Sequence, residues 1–138
     1  MPTASVGPTA DAANGFKSGS PEQLANSVLE SQWLGKGFPV DPAWIASSLG
    51  IRVIEMSLPP NVSGALIKKE GSDPAIILER GDSKNRKRFS CAHELGHYVR
   101  RLGTDKHSYK FIDLRGELAR AGTDPEEIFA NNFAACLL

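Results

Sequence analysis

The chain predicts an α+β fold made of N-terminal helices, a small and mostly antiparallel three-stranded sheet, and two long helices, and three observations carry that expectation. Residues 51 to 79 hold three short β-rich runs separated by Pro-, Gly- and Asn-containing turns. Before them, Ser20-Pro21 and Asp41-Pro42 each resemble a helix start. After them, residues 83 to 102 and 124 to 138 repeat apolar side chains at helical spacing. Runs of strands followed by runs of helices, rather than regular alternation of the two, point to the α+β class.

Taken in order, residues 1 to 20 are rich in Ala, Gly, Ser, Thr and Pro, with Val6 and Phe16 as the only larger apolar anchors, and are expected to form a flexible tail. The folded unit is expected over 21 to 138. Its first helix runs from the Ser20 cap through Leu24, Val28 and Leu29 until Gly35, Gly37 and Pro39 break it. Asp41-Pro42 opens a second, short helix with Ile45 and Leu49 facing inward, and Gly50 ends it. Strands follow at Ile51 to Met56, Gly64 to Lys68 and Ala75 to Glu79. Asp82 or Ser83 then caps a helix over 83 to 102, in which Phe89, Ala92, Leu95, Val99 and Leu102 share a side, and Gly103 follows its end. In the last helix Phe129, Phe133 and Leu137 form an apolar stripe.

The 138 residues carry sixteen basic and sixteen acidic side chains, so no global field favours nucleic acid, and a protein partner must be recognised by local shape. No run of 18 apolar residues and no basic-then-apolar leader is present, which predicts a cytoplasmic protein without a membrane span. Cys91 and Cys136 are too few for a disulfide framework and are expected as reduced, buried thiols; Cys91 also lies two positions before His93, where a role beside a metal is the alternative. The basic run Lys84, Arg86, Lys87, Arg88 reads as a solvated helix face or as a dock for an acidic partner.

Residues 93 to 97 read His-Glu-Leu-Gly-His. Imidazoles at i and i+4 lie on one face of a helix one turn apart, so both can reach one Zn²⁺, while Glu94 between them can act as general base toward a water. Catalytic zinc takes a third protein ligand. Arg100 and Gly103 stand where the metzincin extension would need Gly and His, so the third ligand must come from further on: His107, Asp113, Glu117, Asp124, Glu126 or Glu127. Helical phase separates the last two. Glu127 shares a face with Ala130, Asn131 and Ala134, whose small side chains would admit a close helix approach, and Glu126 points about 100° away. Asp124, Pro125 and Glu127 also read as a capping box, which leaves Glu127 between metal ligand and backbone cap. Asn131 stands between a supporting partner for Glu127 and an exposed position.

The stretch RFSCAHELGHYV at 88 to 99, followed some thirty residues later by EEIFANNFAACLL, resembles the ImmA/IrrE family of small zinc metallopeptidases. PVDPAWIASSLGIRVIEM at 39 to 56, the Ser63-Gly64-Ala65-Leu66 strand and the Arg86 to Phe89 approach are similar to the same family, so the resemblance covers most of residues 21 to 138. It implies a compact zincin-like fold, His93, His97 and Glu127 as zinc ligands and Glu94 as general base. For several members it also implies cleavage of a helix-turn-helix repressor, which releases genes of mobile elements or stress responses. Phe129 departs from the family pattern, which often has a polar residue there, and that pattern usually continues beyond Leu138, so the sequence is expected to be truncated at its C-terminus.

Two function classes follow: a zinc endopeptidase, and a regulatory module that keeps the fold but acts by sequestering its repressor. Glu94 favours the enzyme, because a purely structural zinc needs no general base. His107 and Tyr109, expected in the loop between the two long helices, are the nominees for a donor to the oxyanion. The strand at 75 to 79 is the expected sheet edge to which a substrate backbone would add.

Overall fold

The computed structural model of the chain describes residues 19–101, 108–114 and 124–138. The expected tail therefore lies almost wholly outside the described residues, as do His107 and Glu117. Helix α1 (Pro21–Val28) starts at a complete capping box: the Ser20 hydroxyl accepts from Gln23 N at 3.1 Å, and Ser20 N donates to Gln23 Oε1 at 2.9 Å. It continues into a wider π-helical turn over Leu29–Trp33 and stops at Leu34, whose φ of 56° turns the chain one residue before Gly35. Helix α2 (Pro42–Ser48) is capped by Asp41, whose Oδ1 accepts from Ala43 N at 3.0 Å and Trp44 N at 3.4 Å.

The strands are β1 (Arg52–Met56), β2 (Val62–Lys68), β3 (Ala75–Glu79) and β4 (Tyr109–Leu114), in the order β1-β3-β2-β4. Two expectations are corrected here. Among the described residues the sheet has four strands and is mixed, because β4 occupies a stretch expected as loop and β1 runs parallel to β3. Strand β3 is interior rather than an edge: Ile76 and Leu78 are buried, and the strand pairs with β1 on one side and β2 on the other. An apolar run with neighbours on both sides has no backbone left to offer a substrate. Among the described residues the edges are β1 and β4.

Helix α3 (Lys84–Arg101) falls within one residue at each end of the span expected from periodicity, and Ser83 provides its start, accepting from Arg86 N at 3.1 Å. It crosses β2 and β3 and packs along helix α4 (Pro125–Leu137), while α2 lies against β1 and α1 against α4. The core between these elements gathers Leu24, Val28, Ile45, Leu49, Leu66 and Ile76 with Leu95, Val99, Phe133 and Leu137. The approach of α3 to α4 depends on Gly96. A Cβ there would sit 3.1 Å from Phe133 Cδ1 and 3.2 Å from the Ala130 Cα, so only the absence of a side chain lets the two helices meet at this depth. No helix among the described residues is long and apolar enough to cross a membrane.

The basic run is only partly a solvated face. Lys87 pairs with Glu55 at 2.9 Å, Arg88 Nε donates to the Val40 carbonyl at 3.0 Å, and both side chains are half-buried. Cys91 is buried as expected. Cys136 is exposed, which corrects the expectation of a buried thiol: at about 100° per residue it falls about 20° beyond Phe129, just outside the buried arc that runs from Phe129 through Phe133 and Leu137 to Ala130 and Ala134.

Candidate metal centre

One turn of α3 separates His93 from His97, and the rings stand nearly perpendicular with centroids 4.9 Å apart. Glu127, in the first turn of α4, lies between their Nε2 atoms. Its Oε1 is 3.1 Å from His93 and its Oε2 3.0 Å from His97. The ambiguity over Glu127 is thereby resolved in geometry: the α4 cap is made by Asp124, whose Oδ1 accepts from Glu126 N at 2.9 Å, and the Glu127 carboxylate is turned to the histidines instead. Glu126 is turned away, with its Oε2 3.0 Å from Arg100 Nε, and that guanidinium lies over the Phe129 ring. An aromatic side chain at position 129 thus anchors the arginine that holds the unused carboxylate.

The donor set fits a divalent cation. One atom from each of the three residues lies within 4.8 Å of the others. Four ligands about 2.0 to 2.1 Å from a tetrahedral ion stand roughly 3.3 Å from one another, close to the spacing between the Glu127 oxygens and the two nitrogens. Proton accounting points the same way. His93 Nδ1 is 2.9 Å from Asn131 Oδ1, an acceptor, which favours a proton on Nδ1 and leaves Nε2, 3.1 Å from Glu127 Oε1, as the atom that would face a cation. His93 and His97 are 2% and 1% exposed, so the cluster is closed off from water.

Two residues that position the site were not singled out from sequence. Phe111 of β4 stacks on the His97 ring, centroids 4.3 Å apart and planes 11° from parallel. Register explains its place: Phe111 opposes Leu66, Leu66 opposes Ile76, and this inner row runs beneath α3 until it reaches His97. Gly64 lies on the same face of β2 as Leu66, and a Cβ there would be 3.4 Å from Glu94 Oε2 and 3.3 Å from the Ile77 carbonyl. The Glu94 carboxylate therefore lies directly against the β2 backbone at Gly64. Glu94 is 1% exposed, one residue after His93 and three before His97 on the same helix. The signal for Gly64 was present as a glycine inside a strand, which often marks close approach of another group.

Asn131 partners His93 rather than Glu127, so its supporting role acts on a different residue from the one expected. Asp124 is a cap. Asp113 pairs through its backbone with β2 opposite Gly64. Tyr109 begins β4 instead of lying in a loop, half-buried, its ring 6.2 Å from that of Phe111. Cys91 sits on another side of α3 from the histidines and outside the three-residue cluster. Burial, then the charges of Asp41 and Glu94, push its thiol up to about 12, so it stays protonated and is a poor ligand.

A family model described as Peptidase_M78, the IrrE N-terminal-like domain, matches residues 46–138. No curated protein and no solved structure matches the chain. The matched span runs from α2 to the end of α4 and contains every residue of the centre, Asn131, Phe111 and Gly64 included.

Proposed function

This chain belongs to the IrrE N-terminal-like peptidase family, and from that premise we propose that it is a zinc-dependent endopeptidase with His93, His97 and Glu127 as metal ligands and Glu94 as general base. The observation that carries the reading is the Glu127 carboxylate lying between two buried Nε2 atoms. A zinc ion held there would act as a Lewis acid, lowering the pKa of a water towards about 7 and drawing charge from the scissile carbonyl. Everything else falls to the chain. Glu94, lying against the backbone of Gly64, accepts the proton of the attacking water and delivers it to the departing amine as the C–N bond breaks. Asn131 fixes the His93 tautomer, and Phe111 fixes the plane of His97.

The substrate backbone adds to β4, not to β3. Strand β4 is an edge among the described residues, and through Phe111 it touches the centre. By the same family reading, the substrate is a cytoplasmic helix-turn-helix repressor, and its cleavage would release mobile-element or stress genes. Co-expression with the helix-turn-helix protein encoded beside the gene tests this. Glu94→Gln should retain about one zinc per chain and lower cleavage by a factor on the order of 10² or more, since an amide cannot accept the proton. Undiminished cleavage by that variant removes Glu94 from the mechanism; tight binding of the repressor without cleavage by the wild type would instead make the chain a regulatory module.

A further inference from the structure

A cavity of about 680 Å³ lies on the side of α3 away from the metal centre, between the start of that helix, α2 and β1. Cys91 reaches its floor, and His93, two residues on, is about 200° further around the helix. The two sites are therefore separate, back to back across one helix. The volume is in the range of pockets that enclose a small organic molecule.

Its lining has two parts. The floor is apolar: Val40, Ala43, Val53, Leu78 and Cys91. The rim carries Lys84, Lys87 and Arg88 against two carboxylates, Asp41 and Glu55. Glu55 is paired with Lys87, while Asp41, which caps α2, keeps its charge. Arg88 spends one N–H on the Val40 carbonyl, which fixes the side chain at the rim without neutralising it, and Lys84 is exposed at the mouth and forms no ion pair among the described residues. Three cations against two carboxylates leave the rim one positive charge in excess, and with an apolar floor beneath it this selects for an apolar body bearing a negative head.

We propose that this cavity is a binding site for a small amphipathic anion, an aliphatic carboxylate whose chain lies over Val40, Val53 and Leu78 and whose head meets Lys84 and Arg88. The site is independent of the peptidase reading, since none of its residues belongs to the metal centre.

Decanoate is the probe, with decanol and decylamine of equal chain length as controls, titrated into the zinc-loaded full chain and followed by amide chemical shifts. Decanoate should shift resonances of Ala43, Val53, Lys84 and Cys91, and should bind more tightly than decanol and decylamine. Lys84→Glu, an exposed change, should weaken decanoate about fivefold or more while strengthening decylamine, by the strength of one partly screened ion pair. Ala43→Leu, which adds carbon to the floor, should weaken decanoate and decanol together. Equal affinity for all three probes, absence of binding, or shifts confined to His93, His97 and β4 would overturn the proposal, the last by showing that the carboxylate seeks the metal instead.

Discussion

Helix α3 presents one flank of His93, Glu94 and His97 and a nearly opposite flank of Cys91, Leu95 and Val99, and none of these six side chains is more than 2% exposed. Burial is thus the same on both flanks and its consequence is opposite. On the apolar flank each side chain removed from water contributes about 1.5 to 3 kcal/mol to folding. On the polar flank three groups that water would solvate are held together for their chemistry, and that arrangement costs stability unless a cation and hydrogen bonds compensate. One helix carries both, so the apolar flank is what permits the polar flank to be kept in place. The segment between them is closed by Gly96, where α4 comes nearest.

On the apolar flank the most sensitive position is Leu95, which is fully buried. Leu95→Ala should destabilise the chain by about 2 to 5 kcal/mol, and by the same amount with and without added zinc, because the lost contacts lie on the flank away from His93 and His97. Thermal melts of both forms measure it. A loss confined to the zinc-loaded form would mean that the flanks are not energetically separable.

A smaller effect sharpens the other flank. Asn131→Ala removes the acceptor that holds the His93 proton on Nδ1, and should weaken zinc binding about ten- to a hundredfold while leaving the metal-free melting temperature nearly unchanged. Competition with a chelator gives the affinity. Unaltered affinity would show that packing alone orients the ring.

How much of this was legible in the sequence differs between the flanks in the same way. Local signals placed α1, α2 and α3, because Ser20, Asp41 and Ser83 satisfy helix N–H groups within three residues of themselves. The histidine pair was legible for the same reason, being one turn apart on one helix. What joins distant segments was not. Tyr109–Leu114 is short and has no partner nearby in sequence, so its strand character depends on Leu66 and Ala65, more than forty positions earlier, and with it the stacking of Phe111 on His97. The parallel pairing of β1 with β3, with β2 between them in sequence, is likewise a tertiary fact. Glu127 was intermediate. Phase brought it to the correct face, but the choice between capping its own helix and meeting the histidines is decided by α3, which the α4 sequence does not contain.

The smallest expected effect separates the two thiols. Cys136 is exposed and Cys91 buried, the latter with its pKa raised from 9.0 to about 12 by burial and then by Asp41 and Glu94. A thiol whose folded pKa lies above its unfolded value contributes stability that is fully present below pH 9 and lost as pH rises from 9 towards 12, because only the unfolded chain gains freely from ionising it. Tyr98, raised from 10.0 to about 12 by burial, adds a second loss over the upper part of that window. Iodoacetamide at about pH 8.5 should therefore modify one thiol quickly, Cys136, and the other slowly, because its sulfur stays protonated; replacing Cys91 with Ala should flatten the alkaline decline in melting temperature without moving zinc affinity. Equal labelling of both cysteines in the folded chain would show that the Cys91 thiol ionises as readily as an exposed one and that its flank of the helix is not the apolar surface its burial implies.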